Sequence, residues 1–265
     1  MIENDSTNYI AKKYERNDIE NNEYLKLLKN EIVILQNLNH QNIIKFIDTK
    51  KTKKSYYLML EYCNGGNLSQ ILEKYQQKYG KPFSLEIIQH LMRQIIDAFN
   101  YLHQKKVIHN NINLNNILIN YEDEKDEKEM NLLKSNVKII DFKFGSKFNN
   151  MLKANVFVYT KNKNQPSFKN DNFNLGKLCY KMLFGKYAIN DNIDDNNNTD
   201  NIDNIKKIIE EIEEGKCNYP ITLSKEIISF LEDIFRMNYK ILKIDELSEH
   251  EFLNKNIKDF QLINK

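Results

Sequence analysis

The sequence predicts an α+β protein in which a small strand-rich lobe precedes a larger helical lobe. The segments "NIIKFIDTK" and "SYYLMLEYC" are rich in β-branched and aromatic side chains, which favour strands. From residue 84 onward, helical periodicity dominates. Between these parts, "NGGNL" interrupts both patterns with paired glycines. We therefore expect a lobe boundary at Asn64–Asn67, with one lobe in residues 1–64 and the other in residues 65–265.

Two further elements complete the first lobe. The stretch "YIAKKY" has the pattern of a short strand. Residues 20–38 predict an amphipathic helix, because their apolar side chains recur every three or four positions. These side chains are Leu25, Leu28, Ile32, Leu35 and Leu38.

The second lobe is predicted to be mostly helical. Residues 84–104 form its clearest helix, and "NILIN" and "VKIIDF" are strand-like runs that flank a charged insertion at 121–135. We expect this insertion to be a solvated surface segment. Helical periodicity returns at residue 171 and again in 205–253. Between them, residues 190–204 are of low complexity and are predicted to be a disordered loop.

Composition limits the classes of partner. The formal net charge is +2, which predicts no general attraction to nucleic acid or to a membrane surface. No apolar run approaches the roughly 18 residues that a membrane-spanning helix requires. The first ten residues are acidic and polar, unlike a secretory signal, and the three scattered cysteines predict free thiols in a reducing compartment. We therefore expect a cytoplasmic protein.

Several short motifs occur in a fixed order along the chain. "HNNINLNN" has the spacing of H-R-D-L-x-x-x-N, and "DFKFG" begins like D-F-G. They are preceded by "IAKK", "NEIVILQNLNHQNII" and "LMLEYCNGGNL", and followed by "DNFNLG" and "ELSEHEFL". On these motifs, the chain resembles the eukaryotic protein kinase family, most closely its serine/threonine type, over nearly its whole length. The resemblance implies a bilobal fold with a truncated β-rich N-lobe and a helical C-lobe.

The resemblance also implies a nucleotide site between the lobes, with ATP and Mg²⁺ as cofactors. In the family, the lysine at the end of "IAKK" holds the α- and β-phosphates and pairs with a glutamate on the next helix. Leu60 corresponds to the gatekeeper residue, and backbone groups of Glu61 and Cys63 would meet the adenine. The expected cofactor-binding residues are Lys13, Glu31, Leu60, Glu61, Cys63 and Asn67.

In the catalytic loop, the resemblance places asparagine at three positions where the family has charged residues. Asn110 stands at the arginine position, Asn111 at the catalytic aspartate and Asn113 at the lysine that contacts the γ-phosphate. Asn116 and Asp141 match the metal ligands. Buried Asp171 is the expected anchor beneath the loop, with Leu35, His109 and Phe142 in the hydrophobic spine that links the lobes.

These substitutions predict loss of phosphotransfer. The amide of Asn111 cannot accept a proton, and a positioned general base is typically worth ~10²–10⁴ in rate. Asn113 carries no positive charge for the transferring phosphoryl group. The first glycine of the chain is Gly65, so we expect that the protein lacks the glycine-rich phosphate loop before Lys13 or that the sequence is a fragment of a longer gene. Lys143 replaces the glycine of D-F-G, where its ammonium is expected to pair with Asp141 at the metal position.

The sequence thus favours a pseudokinase that binds ATP and Mg²⁺ weakly or not at all. Its expected partners are other proteins, such as an active kinase or an acidic docking partner. Two alternatives stay open. The chain is an atypical serine/threonine kinase that transfers the γ-phosphate of ATP to protein, or it is the product of a decaying or truncated gene. The second alternative is favoured by the abundance of asparagine, isoleucine and lysine, which AT-rich codons produce without selection on function.

Overall fold

The computed structural model describes residues 8–15, 22–147, 168–185, 223–236 and 244–261. Its first lobe is a three-stranded antiparallel sheet of order β1-β3-β2 with one helix, α1, packed beside it. These elements are β1 (Tyr9–Glu15), α1 (Asn22–Leu35), β2 (Phe46–Lys51) and β3 (Ser55–Glu61).

The second lobe contains short strands and most of the helices of the described residues. Its strands are β4 (Gly66–Asn67), β5 (Val107–Ile108), β6 (Ile117–Tyr121), β7 (Ser135–Ile139) and β8 (Ser146–Lys147). Its helices are α2 (Leu68–Tyr79), α3 (Leu85–Gln104), α4 (Glu124–Glu129), α5 (Phe168–Phe184), α6 (Lys225–Arg236), α7 (Ile244–Ser248) and α8 (Glu251–Asn254). Single 3₁₀ turns span Leu114–Asn116, Leu132–Lys134, Phe142–Phe144 and Ile257–Asp259.

Local sequence explains where the two helices after the lobe boundary begin and end. A capping box starts α2: the Asn67 side chain accepts from the Gln70 backbone N–H, and the Gln70 side chain accepts from the Asn67 backbone N–H. The helix ends at Gly80, whose φ of 70° suits a residue without a Cβ. Ser84 caps α3 with its hydroxyl alone, which accepts from Ile87 N–H.

The helix α3 forms the centre of the second lobe. Its apolar face is fully buried, and α5, α7, α8, β5 and β7 all contact it. The buried side chains on this face include Ile88, Leu91, Met92, Ile95 and Phe99. A helix held on so many sides is a rigid support for the loop that follows it.

The segment after α1 joins the two lobes. Ile44 N–H donates to Ile139 O at 3.0 Å, and Ile139 N–H donates to Asn42 O at 2.9 Å. The buried Asn42 side chain donates to Val137 O at 3.0 Å. These bonds attach the first lobe directly to β7, so the end of α1 lies close to the residues that follow β7.

The predicted α+β architecture with a small sheet region and a mainly helical remainder is confirmed. The charged insertion is also exposed as expected, and it forms the short helix α4 with no buried residue. It is anchored, however, by Leu132, which is buried. The loop predicted at 190–204 and Cys217 lie outside the described residues, and the lobe limits of 1–64 and 65–265 stay predictions. No helix within the described ranges is long and apolar enough to cross a membrane.

Candidate functional site

A cluster of four charged side chains lies between the lobes: Lys12, Glu31, Asp141 and Lys143. Lys12 Nζ on β1 lies 3.1 Å from Glu31 Oε2 on α1 and 3.3 Å from Asp141 Oδ1 after β7. The Tyr14 hydroxyl donates to Glu31 Oε2 at 3.1 Å. Glu31 is only 1% exposed, so its charge depends on these donors. Burial would lower the pKa of Lys12, but Glu31, Tyr14 and Asp141 together hold that pKa well above its ordinary value.

The prediction that Lys13 pairs with Glu31 is wrong, because Lys12 takes that place. In the sheet register, Lys12 lies opposite the buried Leu58 and Lys13 lies opposite Tyr57. Successive side chains on a strand point to opposite faces, so only one of two adjacent lysines can reach α1. Lys13 Nζ instead pairs with Glu15 at 2.8 Å on the exposed face.

Three different side chains, Lys12, Lys143 and Asn111, donate to the carboxylate of Asp141. Its Oδ1 faces Lys12, and its Oδ2 faces Lys143 Nζ at 2.9 Å and the Asn111 side-chain amide at 3.3 Å. Burial by itself would raise its pKa, but Lys12 and Lys143 hold the pKa below its ordinary value. The backbone at Asp141 has a φ of 71°, a conformation that a non-glycine residue adopts only where its surroundings hold it.

The expected pair of Lys143 with Asp141 is confirmed. Lys143 lies in the 3₁₀ turn Phe142–Phe144, and its ammonium is 5.2 Å from the centre of the Phe144 ring. The Asn30 side chain on α1 donates to Lys143 O at 3.0 Å and to Gly145 O at 2.7 Å. Two contacts therefore hold the turn: Asn30 binds its backbone carbonyls, and the Lys143 side chain binds Asp141.

The asparagines of the catalytic loop form a hydrogen-bonded network. The side-chain amides of Asn113 and Asn116 both donate to Asn111 O, at 3.1 and 2.7 Å. The Asn113 side-chain oxygen accepts from Asn115 N–H at 2.9 Å. The side chain of Asn113 thus stabilises the loop itself, and Asn111 donates toward Asp141 where the family has a second carboxylate.

Asn110 contacts the start of the segment after Asp141. Its side-chain amide donates to Phe144 O at 2.8 Å, with Ser146 Oγ at 3.4 Å. Its φ is 62°. Asn110 stands at a position where the family uses arginine, and it reaches the segment through a neutral hydrogen bond.

The buried carboxylate of Asp171 supports the loop from below, as predicted. On α5, Asp171 accepts from His109 N–H at 2.7 Å and from Asn110 N–H at 2.8 Å. Burial raises the pKa of Asp171 to about 7, against the opposing effect of the two backbone donors. The buried His109 ring packs against Phe142 with ring centres 4.7 Å apart, and its Nε2 lies 2.9 Å from Ile140 O. Burial lowers the pKa of His109 to about 4, so the ring is neutral near pH 7.

The predicted adenine-binding segment consists of the last two residues of β3, Leu60 and Glu61, and Cys63 just beyond the strand. Leu60 is buried, and the Glu61 side chain pairs with Lys138 at 2.9 Å. The Glu61 backbone N–H donates to Lys45 O, so it is already used within the protein. Cys63 is half-buried, and burial together with the Glu61 charge raises the pKa of its thiol to about 12. A contact of this segment with adenine stays a prediction.

Asn67 was predicted to bind cofactor, and the structure gives its side chain another role. Its oxygen accepts from Gln70 N–H at 2.9 Å as the cap of α2. A cofactor contact through that oxygen would compete with the cap, which is worth roughly 1 kcal/mol.

The residues expected to hold Mg²⁺ do not fit a magnesium centre as they are arranged. Asn116 and Asp141 offer oxygen ligands of the right type. Both oxygens of Asp141, however, already accept from Lys12, Lys143 or Asn111. No group of three or more His, Cys, Asp or Glu side chains in the described ranges is placed to hold a metal. A divalent ion would have to displace an ammonium ion that lies 2.9 Å from its main ligand.

Three features of the site were not predicted from the sequence. They are the role of Lys12, the contact of Asn30 with the turn after Asp141, and the direction in which the Asn111 amide donates. Side chains alternate between the two faces of β1, and this was the available signal for Lys12. Because residues 12 and 13 are both lysine, the alternation does not tell which of them faces α1. Asn30 carried no sequence signal, because its partners are backbone carbonyls distant in the chain.

A two-lobed fold with a lysine–glutamate pair, an aspartate after a strand and an aspartate-anchored loop defines a protein of the protein kinase type. Consistent with this, a family model described as the protein kinase domain matches residues 1–253. The chain belongs to the protein kinase superfamily.

Curated relatives include serine/threonine kinases. The chain is 30% identical over 222 residues to mouse (Mus musculus) sperm motility kinase 3A, an alignment that covers 80% of this chain and 38% of the relative. It is 30% identical over 170 residues to probable serine/threonine-protein kinase nek2 of Dictyostelium discoideum, an alignment that covers 59% of this chain and 38% of that protein. With serine/threonine-protein kinase 33 of Bos taurus, the identity is 29% over 174 residues, which cover 61% of this chain and 34% of that protein. The chain thus spans well under half the length of these relatives.

Proposed function

We propose that this chain is a pseudokinase domain: a protein kinase fold in which phosphotransfer is absent or severely impaired and which acts by binding other proteins. One observation carries the proposal. At the position of the catalytic base stands the amide of Asn111, and this amide donates a hydrogen bond to Asp141. The group that should take the proton from a substrate hydroxyl is instead a hydrogen-bond donor to the neighbouring carboxylate.

The chemistry of the remaining side chains agrees with this proposal. A positioned general base is typically worth ~10²–10⁴ in rate, and an amide has no lone pair basic enough to replace it. The Asn113 side chain is neutral and is used as a loop cap. The Asp141 carboxylate pairs with two lysines, Lys12 and Lys143, which would compete with a metal ion for its oxygens. Each loss by itself is sufficient to slow phosphotransfer severely, and losses within one site need not add.

The same cleft supports weak nucleotide binding. Lys12 is paired with Glu31 but remains 37% exposed, so its ammonium can reach a phosphate. We place the nucleotide between Lys12 and the segment from Leu60 to Cys63. We do not expect this chain to bind ATP as tightly as an active kinase does. Both oxygens of Asp141 already accept from Lys12, Lys143 or Asn111, which hinders the binding of a metal ion.

The partners in this proposal are proteins, with an active kinase or an acidic surface as the candidates. The cytoplasm is the proposed location. Neither nucleic acid nor membrane is a proposed partner, since the basic and acidic residues of the chain nearly cancel.

An atypical serine/threonine kinase is the second candidate. The Lys12–Glu31 pair, the positive φ at Asp141 and the Asp171 anchor favour it, because these are parts that an active kinase needs. The similar proteins of mouse and Dictyostelium discoideum are also named as kinases. The candidate requires phosphotransfer without a base at residue 111.

A phosphotransfer assay separates the two candidates. The complete natural protein is incubated with labelled ATP, with Mg²⁺ or Mn²⁺, and with general protein substrates. We expect incorporation no greater than that of an Asp141→Ala variant. The double variant Asn111→Asp, Lys143→Gly, which restores a carboxylate at the base position and removes the lysine from Asp141, serves as the control for whether the scaffold can support transfer. Turnover by the natural protein that disappears in Asp141→Ala would overturn the proposal.

A further inference from the structure

The ammonium of Lys143 occupies the side of Asp141 that faces the catalytic loop. Lys143 Nζ lies 2.9 Å from Asp141 Oδ2, and the Asn111 amide lies 3.3 Å from the same oxygen. The other oxygen, Oδ1, faces Lys12 at 3.3 Å. A cation attached to the chain therefore already neutralises this carboxylate.

The position of Lys143 is held by contacts on several sides. Its carbonyl accepts from the Asn30 side chain at 3.0 Å, and its ammonium stands 5.2 Å from the centre of the Phe144 ring. The lysine side chain is about one third exposed, so its ammonium also borders solvent. An ion that enters the cleft can thus meet this ammonium without displacing the backbone turn.

The charges of the cluster balance without a metal. Lys12 and Lys143 carry two positive charges, and Glu31 and Asp141 carry two negative charges. With glycine at position 143, the same cluster would carry one net negative charge, which would repel a polyphosphate. A divalent cation would then be needed to reverse the sign of the site before a triphosphate could bind.

We propose that Lys143 takes the place of a divalent cation, so that the cleft binds a nucleoside triphosphate in its metal-free form. This inference rests on the weak nucleotide binding of the proposed function and specifies its chemistry. The Lys143 ammonium contacts phosphate oxygens directly, in a charge-assisted hydrogen bond, while Asp141 keeps its partners Lys12 and Asn111. Free Mg²⁺ weakens binding, because it removes negative charge from the triphosphate and competes with Lys143 for Asp141.

The test is a titration of ATP into the complete natural protein, once with EDTA and once with millimolar Mg²⁺, by isothermal calorimetry. We expect binding with EDTA to be at least as tight as binding with Mg²⁺. Lys143→Met removes the charge but keeps an unbranched chain over Phe144. It should weaken binding in EDTA by about tenfold, the factor that corresponds to ~1.4 kcal/mol. Mg²⁺ should restore part of this loss.

Two variants control for the charge and for the fold. Lys143→Arg keeps a cation at this position and should retain binding in EDTA within a few-fold. Lys134→Met makes the same substitution at an exposed lysine that pairs with Asp126 away from the cleft, and it should change nothing. Circular dichroism of each variant shows whether it is folded before the titration is interpreted.

Binding that occurs only with Mg²⁺, or no ATP binding in either buffer, would overturn the inference and leave the pseudokinase proposal standing. Equal affinities of Lys143→Met and the natural protein in EDTA would also overturn it. Phosphotransfer by the natural protein, measured separately, would instead overturn the proposed function. The two failures are therefore distinguishable.

Discussion

Lys12 Nζ lies 3.1 Å from Glu31 Oε2, and this ion pair joins the first strand to the helix α1. Glu31 is almost fully buried, whereas Lys13, the residue next to Lys12 in the chain, extends into solvent. The pair places α1 against the cleft, and the same lysine continues to Asp141 in the other lobe. Several consequences of this arrangement can be measured.

The first prediction compares the two adjacent lysines. Among the described residues, Lys12→Met leaves the buried Glu31 carboxylate with Tyr14 as its side-chain hydrogen-bond donor, so we expect a loss of about 1–3 kcal/mol in the free energy of unfolding. Lys13→Met removes an exposed ion pair with Glu15, and its effect should stay within about 0.5 kcal/mol. Urea unfolding followed by circular dichroism measures both. A larger effect of Lys13→Met would contradict the assignment of Lys12.

The second prediction concerns the anchor beneath the catalytic loop. Asp171→Asn replaces one of two acceptor oxygens with an NH₂ group, which faces a buried N–H of His109 or Asn110. We expect a destabilisation of about 1–3 kcal/mol. Asp123→Asn is the matched control, because asparagine caps an exposed helix such as α4 as well as aspartate does. Equal stabilities of the two variants would show that the anchor contributes nothing.

The third prediction is a dependence of stability on pH. Burial lowers the pKa of His103 to about 4 from an ordinary 6.5, against the opposing charge of Asp245. His109 is lowered in the same way. Because the unfolded chain binds these protons more readily, the contribution of the two histidines to stability should be complete above pH 6.5 and should fall as pH decreases from 6.5 toward 4. Asp171, whose pKa burial raises to about 7, opposes them with the contribution of one proton over the same range.

The variant His103→Phe isolates one of these two protons. Phenylalanine keeps the ring contact with Phe168, whose centre is 4.2 Å away. Between pH 6.5 and 4, the slope of unfolding free energy against pH should decrease by up to about 1.4 kcal/mol per pH unit, the value for one proton. Denaturant unfolding at several pH values measures this slope. An unchanged slope would mean that His103 titrates alike in the folded and unfolded states.

The fourth prediction concerns the turn after Asp141. Asn30→Ala removes the donor to Lys143 O and Gly145 O, so the turn should open more often while the rest of the fold is retained. We expect amide exchange of residues 142–146 to accelerate about tenfold, as the loss of a ~1.4 kcal/mol restraint implies. Asn37→Ala is the matched control, since the Asn37 side chain donates to Val33 O, four residues earlier at the end of α1 and away from the turn. Comparable exchange in both variants would exclude a special role for Asn30.

Much of the fold could be predicted from the sequence. Hydrophobic periodicity marked α1 and α3, because one face of each is buried in a common core. β-branched and aromatic composition marked β2 and β3, although β2 is exposed along nearly its whole length. The order of short motifs identified the family and located Asp141, Asp171 and the catalytic loop. Helix caps such as Asn67 are local features, yet the resemblance assigned that residue to the cofactor and overlooked its cap.

The sequence by itself therefore determined the family, the order of the elements and the presence of asparagine at positions 111 and 113. Only the tertiary structure decided which lysine serves Glu31, since that depends on the register of β1 against β3. It also decided that the amide of Asn111 donates to the Asp141 oxygen with which Lys143 was expected to pair. Asn111 and Asp141, like Lys12 and Glu31, lie far apart in the chain, so their contacts depend on how the strands, helices and loops pack, which no local pattern of side chains encodes.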